Sequence, residues 1–197
     1  MTAKNISIFS VFIIFLFLVL NVNSFSKFNS GLGKAENFKL KDYNGKEHSL
    51  SDYANSKAIV VMFISTQCPV SNAYNERMEN LYKTYKAKDV AVIGINSNNG
   101  ESVEEVKEHA KDHGLTFTIL KDHNNIVADK FGASFTPEIY VLSKDMNILY
   151  HGRIDDSRRQ SDITSKDLEN ALNEILDGKQ VSTPVTKAFG CTIKRVD

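Results

Sequence analysis

The chain has no tryptophan, only three prolines and only two cysteines, and its 24 acidic residues cancel its 24 lysines and arginines. Balanced charge removes the broad field that draws nucleic acid or an anionic membrane surface to a protein, so no nucleic-acid partner is expected. No glycine-rich phosphate loop, dinucleotide fingerprint or Cys/His cluster with metal-ligand spacing occurs, so no cofactor and no metal is expected. A Cys-x-x-Cys pair is also missing, because Cys68 is followed three residues later by Ser71. The length, 197 residues, suits one domain with a sizeable core and an N-terminal extension.

What is present begins with an apolar run. After Lys4, residues Ile6 to Leu20 are interrupted only by Ser7 and Ser10. A positive start followed by a run of this length reads as an export signal, shorter than the roughly 20 residues of a comfortable membrane span. Two outcomes stay open: cleavage near Val22 and Ser24, or an uncleaved membrane anchor through residues 6–20. Either places the protein outside the cytoplasm, in the periplasm or secreted. The expected organisation is a signal peptide or anchor over 1–24, a polar linker over 25–34, one domain over 35–180, and a tail over 181–197 that carries Cys191.

Within the domain, a hairpin turning at Asn44-Gly45 precedes Ala58–Ile64, a continuous apolar run of strand length. Helical spacing follows from Pro69 to about Lys86, then a second buried strand at Val90–Ile95. Ser102 with Glu105 forms a capping box for a helix running to Gly114. Strands are expected at Leu115–Leu120, Glu138–Leu142 and Ile148–His151, with a short helix from Asn125 to Phe131. A last helix is capped by Thr164 with Asp167 and ends at Gly178. Strands alternating with helices, then two strands joined by a tight turn, predict an α/β fold of the thioredoxin plan. Its mixed sheet has an antiparallel edge and helices on both faces.

Cys68 stands where the first buried strand hands over to the first long helix. Pro69 suits the first helical position, which puts Cys68 at the cap, facing free backbone amides and the positive end of the helix dipole. A cysteine in that setting titrates below the ~8.5 of a free thiol, and the thiolate is the nucleophile. The competing reading is a small buried hydrophobe. Ser71 lies on the same turn and can donate a hydrogen bond to the thiolate, but it cannot resolve a mixed disulfide, so release needs a second thiol.

Thr136-Pro137 opens a core strand, where the bond is either cis, against the cysteine and offering the backbone of residue 136 to a substrate, or an ordinary trans proline. Arg153 either stabilises a thiolate or bound oxygen, or pairs with Asp155 or Asp156. His151 reads as a strand-edge residue. Cys191, after Gly190 in the tail, is a resolving partner of Cys68, a static crosslink to it, or an unpaired thiol.

Together Phe38-x-Leu-x-Asp42, Gly45, Ser49-Leu-Ser-Asp52, Cys68-Pro69 and Thr136-Pro137 resemble the alkyl hydroperoxide reductase/thiol-specific antioxidant (redoxin) branch of the thioredoxin superfamily. Tyr150–Asp156 and the segment from Thr186 through Cys191 to Lys194 resemble its peroxiredoxin-like thioredoxin family proteins. The resemblance implies a thioredoxin fold, Cys68 as the attacking cysteine, and a cis Pro137 beside it. It implies a thiol-dependent oxidoreductase, antioxidant in role. Its substrate is a peroxide or a protein or small-molecule disulfide, and an external thiol is its reductant. A redox-sensing or thiol-capturing module without turnover is the alternative. Two departures stand out. The peroxiredoxin loop Pro-x-x-x-Thr-x-x-Cys has Val61 for its proline and Ser65 for its threonine, and Ser71 replaces the second thiol of dithiol thioredoxins.

Overall fold

A computed structural model describes residues 31–196. The apolar run 6–20, the cleavage region and most of the linker lie outside the described residues. No helix among the described residues is long and apolar enough to cross a membrane.

The chain enters through a hairpin, β1 (Lys39–Asp42) and β2 (Glu47–Ser49). The Asp42 carboxylate closes the turn by accepting from the amides of Asn44 (2.8 Å) and Lys46 (3.0 Å). All seven residues of β3 (Ala58–Ile64) are buried. Alternate side chains serve two cores: Val60 and Met62 face one, while Ile59, Val61 and Phe63 face the other. The sheet continues with β4 (Val90–Asn96), β5 (Thr118–Lys121), β7 (Glu138–Leu142) and β8 (Ile148–Gly152). Its order is β2-β1-β5-β4-β3-β7-β8. Strand β3 runs parallel to β4 and antiparallel to β7, and β8 closes an antiparallel edge. This is the mixed thioredoxin sheet expected from the sequence.

Three expectations change. The long helix is broken into α1 (Pro69–Asn72) and α2 (Asn75–Lys86). Tyr74 sits between them, buried, with its hydroxyl donating to Asp155 at 2.9 Å. The strand after α3 (Val103–Asp112) starts late, at Thr118, because Thr116 turns aside to donate its amide (2.7 Å) and hydroxyl (2.6 Å) to Glu79. After α4 (Ile126–Phe131) and the edge hairpin comes α5 (Asp167–Leu176), which Thr164 does not cap. Its amide and hydroxyl both donate to Asp156 instead, holding that carboxyl down at about 2. The Ser102–Glu105 capping box forms as expected.

The tail folds back onto the domain. Beside the main sheet lies a two-stranded one, β6 (Phe135–Thr136) with β9 (Cys191–Thr192).

Candidate redox site

Cys68 occupies the cap of α1, with Pro69 in the first turn. The Ser71 amide donates to its Sγ at 3.3 Å. The same sulfur lies 3.3 Å from the carbonyl oxygen of Thr136, and the Thr136–Pro137 bond is cis. Cys68 is 3% exposed. It is joined in a disulfide to Cys191, 123 residues away, with Cα atoms 5.9 Å apart. The unpaired-thiol reading of Cys191 is therefore set aside. Cys191 is half-buried, the more accessible sulfur-bearing residue of the two.

The side chains around the sulfur take other roles than the sequence suggests. It is the amide of Ser71, not its hydroxyl, that reaches Sγ; the hydroxyl accepts from the Ser65 amide at 3.2 Å. The Ser65 hydroxyl accepts from the Cys68 amide (2.9 Å) and the Gln67 amide (3.2 Å), and donates to Glu101 at 2.5 Å. Glu101 is itself buried and also accepts from the Thr66 amide (2.7 Å), the Thr66 hydroxyl (2.8 Å) and Asn96 (2.6 Å). A buried carboxylate needs such a full set of donors. Here the set ties the loop before Cys68 to the end of β4. Val61 lies mid-strand, in register with Ile93 on one side and Tyr140 on the other. That interior position is closed to proline, so a peroxiredoxin-type loop is not built there.

Arg153 points its Nε at Asp167 (2.7 Å), which raises its already high pKa. No hydrogen bond or ion pair joins it to Cys68 among the described residues. Asp155 is taken by Arg77 at 2.6 Å rather than by Arg153. His151 lies on the edge strand β8, stacked on Tyr140 and bonded to Glu138 at 2.6 Å. Burial pushes the Glu138 carboxyl up. His151 and the amides of Ser134 and Phe135 outweigh that and hold it below its ordinary 4.5.

Sequence reasoning missed Glu101 and the asparagines of the tail dock. Lys194 donates its amide to Asn98 Oδ1 (2.9 Å), and its carbonyl accepts from the Asn99 amide (2.8 Å) and Asn125 Nδ2 (3.1 Å). The Val196 amide donates to Asn125 Oδ1 at 2.8 Å. Glu101 left one faint signal: it is an extra acid beside a capping box that needs only Glu105.

A cysteine in the amide mouth of a helix, faced by a cis proline on a mixed seven-stranded sheet with an antiparallel edge, defines a thioredoxin-fold thiol protein. Within that class the chain belongs to the AhpC/TSA family, whose model matches residues 33–151. It is 31% identical over 111 residues to the thiol-disulfide oxidoreductase ResA of Geobacillus thermodenitrificans, covering 56% of this chain and 62% of that protein. To chloroplastic peroxiredoxin Q of Oryza sativa subsp. japonica it is 30% identical over 123 residues, covering 59% and 55%. The chain thus matches less than two thirds of the length of these curated relatives. Among solved structures, a hypothetical protein of Sinorhizobium meliloti superposes with TM-score 0.78 at 34% identity, covering 83% of this chain and 93% of that one. An uncharacterized conserved protein of Geobacillus kaustophilus gives TM-score 0.78 at 31% identity, covering 83% and 91%.

Proposed function

We propose that the protein is a thiol-dependent oxidoreductase with antioxidant activity, in which Cys68 is the attacking thiolate and Cys191 its resolving partner. The observation that carries this is the Cys68–Cys191 disulfide seated against the helix mouth, with the Ser71 amide on the sulfur. Cys68 thiolate attacks a peroxide oxygen, the O–O bond breaks, and the departing alkoxide or hydroxide takes a proton; Cys68 becomes a sulfenic acid. Cys191 thiol then attacks that sulfur, releasing water and forming the disulfide. With a disulfide as oxidant, Cys68 forms a mixed disulfide and Cys191 displaces the bound thiol from it.

Reduction follows from the unequal accessibility of the two cysteines. An external thiolate attacks the accessible Cys191 sulfur, and Cys68 departs as a thiolate, received by the Ser71 amide. A second external thiol clears Cys191. Thr136, Pro137 and Pro69 line the approach to the sulfur, whereas Ser65 and Ser71 act on the loop's shape.

The domain over 35–180, with 181–197 as a working part of the site, is the unit proposed to act. Export is supported by the apolar run after Lys4 and by a disulfide, which persists in oxidising compartments. The N-terminal segment acts as a cleaved signal peptide or as an anchor, and the mass of the protein recovered from cells separates the two.

Stopped-flow consumption of hydrogen peroxide and reduction of 5,5′-dithiobis(2-nitrobenzoate) test the function, each beside Cys68→Ser. Rapid loss of oxidant that depends on Cys68 and repeats with added thiol is expected. A single stoichiometric capture without turnover would make the protein a thiol-binding module instead.

A further inference from the structure

The tail does more than bring Cys191 to Cys68: it fills an edge. Strand β6 pairs with β9 alone among the described strands, with Phe135 opposite Thr192 and Thr136 opposite Cys191. Thr136 is also the residue whose carbonyl lies 3.3 Å from the Cys68 sulfur. Any polypeptide that docked by adding a strand beside the sulfur would need the main-chain groups that β9 already uses.

The fit of the tail is close. Gly190 approaches so tightly that a Cβ there would collide with the Thr136 carbonyl. The tail strand is also held by bonds other than the disulfide. Upstream, Thr186 donates its amide to His151 O at 2.9 Å and shares a 2.6 Å hydrogen bond with the Tyr150 hydroxyl. Downstream, Ile193 is buried, its amide donates to Ser134 O at 2.9 Å, and Lys194 is gripped by Asn98 and Asn125. None of these bonds involves either sulfur, so none is removed by the cleavage of the S–S bond itself.

We infer that the oxidant taken by Cys68 is a small molecule, a hydroperoxide or a low-molecular-weight disulfide. Polypeptide disulfides are kept out by the chain's own strand β9, which stays in place when Cys191 is reduced. This rests on the proposed redox role of Cys68 and specifies its substrate class. The chemistry is unchanged: Cys68 sulfur forms one new bond, to peroxide oxygen or to one disulfide sulfur, and the other half leaves as hydroxide, alkoxide or thiolate.

The test uses the full chain with Cys191→Ser, which removes the resolving thiol and keeps the tail strand, and the same chain with Gly190→Val added, which forces β9 off Thr136. Reduced samples of each meet hydrogen peroxide, 5,5′-dithiobis(2-nitrobenzoate) or insulin, and the rate of modification at Cys68 is read by mass spectrometry. With Cys191→Ser alone, the two small oxidants are expected to react quickly and insulin slowly. Adding Gly190→Val is expected to raise the insulin rate more than about tenfold, the factor matching one or two lost docking hydrogen bonds, and to leave the peroxide rate within about twofold. Asn98→Ala, which removes one of the three hydrogen bonds that hold Lys194 at the other end of the strand, is expected to act in the same direction with a smaller effect. Equal insulin rates with and without the tail-releasing changes would overturn the exclusion while leaving the redox role intact. No reaction at Cys68 with any of the three would overturn the redox role, and the exclusion with it.

Discussion

The two halves of the site are built in opposite ways. Cys68 owes its cap to residues within a few positions of it: a buried strand that stops, a proline in the first helical turn, and the Ser71 amide at 3.3 Å. One distant group, the Thr136 carbonyl, also faces its sulfur. Cys191 sits in a stretch almost without regular structure, and everything that positions it comes from far along the chain. Asn98 holds Lys194 across 96 residues, Asn125 holds Val196 across 71, and Thr136 pairs with Cys191 itself. The lesson is a division of labour. In the proposed mechanism the attacking sulfur takes its capping amide from local backbone geometry, while its partner is held in place by tertiary hydrogen bonds.

The sharpest way to break that comparison is to remove each sulfur in turn. Cys68→Ser is expected to abolish oxidant consumption altogether. Cys191→Ser is expected to permit one turnover at Cys68 and to stop sustained cycling, as measured by peroxide loss with excess external thiol. If Cys191→Ser cycled like the parent protein, the tail would be structural only.

Next in size come the effects on stability. Closing a loop between residues 123 apart stabilises by up to about 5 kcal/mol on the chain-entropy estimate. Cys191→Ser is expected to lose up to that amount in urea unfolding, because the crosslink restricts the unfolded chain while the tail keeps its other fastenings in the folded one. Glu101→Ala leaves the hydroxyls of Ser65 and Thr66, the Thr66 amide and Asn96 without their acceptor, and is expected to cost about 2–3 kcal/mol. A change below about 0.5 kcal/mol would mean that the loop before Cys68 does not depend on this carboxylate.

Glu138 gives a pH dependence of known sign. Its folded pKa lies below the ordinary 4.5, so its contribution is fully present above that value and is lost as pH falls through the folded pKa. Glu138→Gln is expected to flatten the loss of stability below about pH 4.5 in acid titrations followed by circular dichroism. The smallest effect belongs to Ser71→Ala, which keeps the amide that touches Sγ. About 1 kcal/mol of stability is expected to go with the lost Ser65–Ser71 hydrogen bond, with oxidation of Cys68 almost unchanged. A large fall in that rate would return the role to the hydroxyl.

The same division explains what could be read beforehand. The strand at Ala58–Ile64, the cap at Cys68 and the Ser102–Glu105 box are local patterns, and each formed where its residues announced it. Thr164 carried an equally good capping pattern and lost it to Asp156, a competitor eight residues away that local spacing cannot reveal. Arg153 stood in a suggestive motif, but Asp167 of α5 took its guanidinium. Asn98, Asn125 and Glu101 looked like ordinary polar loop residues; the crossing of the tail gives the two asparagines their partners in Lys194 and Val196, while Glu101 finds its own in Ser65, Thr66 and Asn96.

The most direct test of the paired-cysteine account is a quench experiment on the fully reduced protein. One equivalent of hydrogen peroxide is added, remaining thiols are alkylated at successive times, and the Cys68 and Cys191 peptides are weighed. The expected result is simultaneous loss of both thiols into a Cys68–Cys191 disulfide, with Cys68 sulfenic acid trapped instead in Cys191→Ser. Alkylation of both cysteines at every time point, with the peroxide left unspent, would contradict it.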